Sequence, residues 1–165
     1  MALTKLGTFE AHTIGDLPSI GSAAPEFVLT GTDMKDVNVK QFIGKKIVLN
    51  IFPSVETSVC AASMREFNKR AASLDNTVVL CISKDLPMAQ KRFCAAEGID
   101  KVITLSDFRN RGFGKAYGIE LMDSNFAGLF ARSVVVIDTT GKVKYSELVP
   151  QIGQGPNYDA ALRAI

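Results

Sequence analysis

Residues 46–68 read KIVLNIFPSVETSVCAASMREFN, and the fold turns on how this stretch divides. Its first seven residues are apolar and β-branched almost without interruption, the pattern of a strand covered on both faces. Pro53 ends that strand by removing a backbone N–H and fixing φ. Beyond it, Cys60, Met64, Phe67, Ala71 and Leu74 are spaced 4, 3, 4 and 3 apart, which is one stripe of an amphipathic helix. Thr57 or Ser58 can cap that helix through its hydroxyl. A buried strand feeding a helix through a short loop is the first half of a βαβ unit.

The flanking sequence continues the alternation. Residues 77–83 (TVVLCIS) and 133–138 (SVVVID) read as further buried strands, and 102–105 as a shorter one. Leu86, Ala89, Phe93 and Ala96 form a second helical stripe. Asp85 is its expected N-cap, Pro87 falls in its first turn and Gly98 stops it. DTTG at 138–141 is a turn signal, after which 142–148 runs back as an antiparallel partner. Residues 158–165 suit a short helix, 3–9 with 12–14 a small hairpin, and 18–25 (PSIGSAAP) a loop. The order predicts an α/β fold over residues 1–165: a mixed central sheet flanked by helices, with an N-terminal β-hairpin. It is compatible with a thioredoxin-like fold, and no linker divides it into two domains.

Composition narrows the function classes. The chain has 165 residues, 47% of them apolar, and a formal net charge of +2, too small to favour nucleic acid or an anionic membrane as partner. Lys45-Lys46 and the cluster Arg109, Arg111, Lys115 are local basic spots that read as solvated loop charges. No apolar run is long enough to span a membrane. Residues 1–21 lack the pattern of a signal peptide, so the expected compartment is the cytoplasm. Three cysteines do not make a structural disulfide framework there; a disulfide in this chain is expected to be catalytic or redox-sensing. One histidine and no CxxC pair argue against zinc. Gly112, Gly114 and Gly118 have the wrong spacing for a dinucleotide loop. No cofactor or metal is expected.

The chemistry is expected at Cys60. It falls in the first turn of its helix, near unpaired N–H groups and the positive end of the dipole. Thiolate is the reactive form of cysteine, and such positions favour it. A small buried cysteine on an inward helix face is the commoner arrangement for one taken alone. Thr57, three residues earlier across the helix start, tips the reading, because its hydroxyl can reach the sulfur's reaction zone and bond a substrate oxygen. Two other functions stay open at this point. A cysteine hydrolase would need His12 as its base, and a redox-responsive binding protein would oxidise at Cys60 without turnover.

The spacing Pro-x-x-x-Thr-x-x-Cys, met by Pro53, Thr57 and Cys60, resembles the peroxiredoxin active-site signature. Residues 52–68, 82–94 (ISKDLPMAQKRFC), 105–118 (LSDFRNRGFGKAYG) and 128–138 (GLFARSVVVID) are similar, in order, to the bacterial thiol peroxidase subfamily. The resemblance implies a thioredoxin-like fold and a peroxidase acting on hydrogen peroxide and organic hydroperoxides. It further implies that Cys60 is the peroxidatic cysteine, that Pro53, Thr57 and Arg132 shape the peroxide pocket, and that Cys94 is the resolving cysteine. An intramolecular Cys60–Cys94 disulfide, recycling by thioredoxin and a homodimer belong to the same implication.

Position on the elements adds detail. Cys94 follows Phe93, so it should lie on the flank of its helix, while Cys81 sits in a buried strand and reads as core. Phe27, Phe42, Phe126 and Phe130 suit an apolar approach to Cys60, a dimer face, or plain core packing. Glu56 stands where the subfamily has aspartate, and QIGQGPNYD at 151–159 loses two acids through Gln151 and Gln154. That second departure is expected to touch no catalytic residue.

Overall fold

A computed structural model describes residues 1–165. The elements run β1 (Leu3–Leu6), β2 (Phe9–His12), β3 (Val28–Gly31), β4 (Asp36–Asn38), β5 (Lys46–Ile51), α1 (Ser58–Ala71), β6 (Thr77–Ser83), α2 (Pro87–Glu97), β7 (Ile103–Ser106), α3 (Phe113–Ala116), β8 (Ser133–Ile137), β9 (Val143–Leu148) and α4 (Tyr158–Arg163). Seven strands form one mixed sheet in the order β4-β3-β7-β6-β5-β8-β9, and β1 and β2 make a separate two-stranded hairpin. The parallel pairs β5–β6 and β6–β7 are joined by the two crossover helices; β8 lies antiparallel to β5 on its other side. The expected α/β, thioredoxin-like arrangement is therefore the one observed.

Alternation along the central strands assigns two cores. Ile47, Leu49, Ile51, Leu80 and Ile82 face a cluster that holds Phe27, Phe113, Tyr117 and Phe130. Val48, Val79, Cys81, Val134 and Val136 face the opposite cluster, which holds Cys60, Met64 and Phe67 of α1. Period two along each strand produces this split. The near-continuous apolar runs reflect strands covered on both sides.

Several expectations need correction. The second hairpin strand begins at Phe9 rather than at 12, pairing Leu3 with His12 and Leu6 with Phe9. The short strands β3 and β4 and the one-turn helix α3 carry too few periodic residues to be seen in advance. In α2 the predicted stripe is inward only in part: Phe93 packs against the core, but Leu86 is 50% exposed, Ala96 is exposed, and the buried residues are Pro87 and Gln90. Its N-cap is Leu86, without a side-chain bond, not Asp85. Gly98 ends the helix as expected, in the left-handed conformation at φ 66°. Phe27 and Phe130 pack in the core on the face away from Cys60, Phe42 packs against that same core, and Phe126 sits in a small third cluster with Ala11 and Leu121. None of the four belongs to the cluster that holds Cys60.

Candidate active site

The loop between β5 and α1 is built on Ser54. Pro53 is buried at the strand's end. The Ser54 carbonyl accepts from Thr57 N and Thr57 Oγ1, each at 3.2 Å. Thr57 is the N-cap of α1, and its Oγ1 accepts from Cys60 N at 3.3 Å. Its hydroxyl proton is thus directed at Ser54, and one oxygen lone pair remains to accept from a small O–H donor. Cys60 lies in the first turn with no exposed surface, among Phe52, Val55, Met64 and Phe67.

Arg132 meets Cys60 from the other side. Ser133 pairs with Ile51 in the antiparallel β5–β8 ladder, so the residue before β8 lies beside the point where the 53–57 loop leaves the sheet. Arg132 is 1% exposed, and its Nη2 donates to Cys60 Sγ at 3.1 Å. Nε donates to the Ile152 carbonyl at 2.9 Å, while Nη1 is buried with no partner. A buried guanidinium with a free N–H is costly unless something else satisfies it.

The Ile152 contact corrects the reading of 151–159. That segment supplies the acceptor that orients Arg132, and the N-terminal hairpin braces it in turn. Ile152 N donates to the Lys5 carbonyl at 2.8 Å, and Thr4 Oγ1 donates to the Val149 carbonyl at 2.8 Å. The altered residues Gln151 and Gln154 flank this point. Tyr158 also belongs to the site's wall, edge-on to Phe67 at 5.2 Å between ring centres. Burial raises its phenol above the ordinary value, and the Arg132 charge opposes that.

Cys94 lies seven residues after the buried Pro87 and four after the buried Gln90, so it shares their side of α2, and it is only partly buried there. It is half-buried against the cluster that contains Cys60 and Cys81. Burial pushes its thiol up, and a hydrogen bond with Thr104 opposes the shift. Cys81 is wholly buried; desolvation pushes it up to about 12, with Asn50 Nδ2 donating to its sulfur at 3.6 Å. All three cysteines are free thiols.

Asp85 was legible as an acceptor but assigned the wrong client. Its carboxylate accepts from Ser54 Oγ at 2.7 Å, Val55 N at 2.9 Å and Ser83 Oγ at 2.6 Å. It therefore fastens the loop before Cys60 and does not cap the start of α2. Glu56 is exposed and pairs with Arg92 of α2 at 3.3 Å, a surface contact of small weight. His12 pairs through Nδ1 with Asp123 Oδ2 at 2.7 Å on the hairpin, which lowers the Asp123 carboxyl through the backbone and ring hydrogen bonds of His12.

A cavity of ≈ 330 Å³ lined by Phe42, Ile47 and Ile137 lies at the opposite end of β5 from Pro53 and contains no cysteine. A groove of ≈ 350 Å³ lies between the start of α1 and α2, lined by Val55, Thr57, Ala61, Arg92, Phe93 and Glu97. No helix is long and apolar enough to cross a membrane.

The Redoxin family model matches residues 19–162. Thiol peroxidase from Mycobacterium tuberculosis is 55% identical over 165 residues, covering 100% of this chain and 99% of that protein. Thiol peroxidase from Corynebacterium glutamicum is 54% identical with the same coverage. Among solved structures, a peroxiredoxin-like protein from Aquifex aeolicus superimposes with a TM-score of 0.92 at 34% identity, over 100% of this chain and 98% of that one. Thiol peroxidase from Chromobacterium violaceum gives 0.90 at 23% identity over 98% and 93%, a likeness of fold.

Proposed function

Since the chain belongs to the Redoxin family as a thiol peroxidase, an oxidoreductase of the peroxiredoxin type, we propose that Cys60 reduces hydrogen peroxide and organic hydroperoxides and that Cys94 resolves the product. One observation carries the reading: Arg132 gives one N–H to Cys60 Sγ and keeps a second, on Nη1, buried and unpartnered beside it.

A peroxide oxygen in that space accepts from Nη1, and the peroxide O–H donates a hydrogen bond to Thr57 Oγ1, keeping the proton that passes to the departing oxygen. The Cys60 thiolate attacks one oxygen and the O–O bond breaks. Sulfur loses two electrons, and the departing oxygen takes a proton and leaves as water or an alcohol. Negative charge grows on that departing oxygen, where Arg132 stabilises it more than in the ground state. Pro53 holds the loop and excludes water. The Cys94 thiolate then attacks the sulfenic sulfur, hydroxide leaves as water with a proton, and a Cys60–Cys94 disulfide remains. A dithiol protein of the thioredoxin type restores both thiols by exchange.

The resting geometry separates these steps. Cys60 Sγ is engaged by Arg132, and Cys94 is a half-buried free thiol on another helix. A disulfide needs S–S contact at about 2 Å, so the first turn of α1 and part of α2 must unwind between oxidation and resolution. The family resemblance extends to a homodimer working in the cytoplasm, which sedimentation and fractionation test directly.

Peptide mapping after one equivalent of peroxide tests the chemistry. The expected result is a Cys60–Cys94 cross-link with Cys81 free. A cross-link through Cys81, or peroxide consumption that survives Cys60→Ser, would sink the assignment.

A further inference from the structure

We propose that Asp85 is a positioning residue, a latch that holds the peroxide-reactive arrangement and whose release starts the unwinding that resolution requires. The inference rests on the Cys60–Cys94 reading above. It comes from a continuous chain of hydrogen bonds that joins the two reacting helices through the end of β6.

On one side, the Asp85 carboxylate takes Ser54 Oγ–H and Val55 N–H. From Ser54 the chain continues through its carbonyl to Thr57, and from Thr57 Oγ1 to the N–H of Cys60. On the other side, Asp85 Oδ2 takes Ser83 Oγ–H. Ser83 Oγ in turn accepts from Gln90 Nε2 at 3.1 Å, and the same Nε2 donates to the Leu105 carbonyl at 2.9 Å. Gln90 is wholly buried and lies one helical turn before Cys94. The Asp85 carbonyl accepts from Ser106 Oγ, which anchors the latch to β7.

This arrangement does more than close a loop. α2 has no side-chain cap, and its inward face is polar at Gln90. The buried fastening of the Cys94 turn and the fastening of the Cys60 loop therefore meet at Ser83 and Asp85. Losing one weakens the other, because a hydrogen-bond network of this kind is cooperative. The groove between the start of α1 and α2 gives a loosened first turn space to enter. The latched state aligns Thr57, Cys60 and Arg132 for attack; the unlatched state frees both sulfurs to meet.

The two states make opposite demands, and the test uses that opposition. Asp85→Asn keeps the shape but turns one acceptor into a donor that faces Ser54 or Ser83. Ser54→Ala removes the bond to Asp85 together with the one that Ser54 Oγ accepts from Glu56 N at 3.1 Å, and Ser54→Thr keeps the hydroxyl. Stopped-flow single turnovers with hydrogen peroxide give the bimolecular oxidation rate and the unimolecular rate of disulfide formation. In Asp85→Asn the first should fall about tenfold and the second rise several-fold, the scale of one charged hydrogen bond. Conversion to sulfinic acid under excess peroxide should fall in step, since the sulfenic acid is resolved sooner. Ser54→Ala should move both rates the same way by less, and Ser54→Thr should restore them.

Loss of stability alone does not shift the two rates in opposite directions. Oxidation and resolution falling together, or oxidation rising, overturns the latch. The wild type run in the same series separates the two ideas. A wild type that forms no Cys60–Cys94 cross-link overturns the underlying reading and the latch with it. A normal cross-link with the partition unchanged in both Asp85→Asn and Ser54→Ala overturns the latch alone.

Discussion

The two crossover helices carry the two sulfurs proposed to react, and they are built in opposite ways. α1 has a side-chain N-cap in Thr57 and an inward stripe of Cys60, Met64 and Phe67, each with no exposed surface. α2 has no side-chain cap, and it buries a proline and a glutamine while leaving Leu86 and Met88 exposed. Apolar burial is non-directional and hard to undo piecemeal. α2 packs Phe93 and Cys94 only partly against the core, so more of its fastening falls to the buried Gln90, and it loosens when that bond goes. The contrast suits a pair in which one sulfur must be held still for a bimolecular attack and the other must come to meet it.

The sharpest way to break this picture is at the charge over Cys60. Arg132→Met keeps much of the bulk but removes both the donor on Sγ and the free N–H. The rate of Cys60 oxidation should fall about 10²–10³-fold, the cost of losing an aligned donor in a transition state. Arg132→Lys keeps the charge and loses the fork that binds Ile152 and Cys60 together, so it should recover only part of the loss. Rapid-mixing kinetics on the first turnover measure both. A wild-type rate in Arg132→Met would mean that α1 alone prepares the sulfur.

The helices themselves are compared by stability. Met64→Ala opens a cavity in the α1 face and should cost about 3 kcal/mol. Gln90→Leu strips a donor from Ser83 and from the Leu105 carbonyl and should cost about 2 kcal/mol, despite adding an apolar residue to a buried site. Leu86→Ala, on the stripe that sequence periodicity predicts, should stay within about 0.5 kcal/mol because that side chain is half in water. Urea unfolding ranks the three. A costly Leu86→Ala with a neutral Gln90→Leu would restore the predicted face of α2 and remove the contrast.

That misread face marks where sequence reasoning stops. Strands β5, β6 and β8 were legible because both faces are covered and the apolar runs are nearly continuous. α1 was legible because a purely apolar stripe has one periodic solution. In α2 the inward positions include Gln90, and a polar residue buried by its partners looks like a solvent-facing one until those partners are placed. Asp85 failed similarly: an acceptor at the end of a strand fits a helix cap, and only the tertiary fold brings Ser54 and Val55 to it. Pro53, Thr57 and Cys60 could be grouped as a candidate site in advance because they are close in sequence. Arg132 needed the family resemblance to be singled out, and its partner at Ile152 is a backbone carbonyl, which no sequence pattern reports.

A last, pH-dependent effect comes from Cys81, on the face of β6 that the two helices cover. Its folded value stands at about 12 against an ordinary 9.0, raised by burial. The unfolded chain therefore loses this proton first as pH rises. The buried thiol's contribution to stability is complete below about pH 9 and drains away as pH climbs from there toward 12. Between about pH 8 and pH 10 the wild type should lose on the order of 1 kcal/mol more than Cys81→Ala. The cavity left by the substitution costs the same at both pH values and drops out of that difference. Chemical denaturation of both proteins at the two pH values, with a reductant present, checks it. Parallel losses would mean that Cys81 ionises as readily in the native protein as in the unfolded chain. In that case α2 would leave this layer open to water, and the looseness inferred for it would reach the sheet itself.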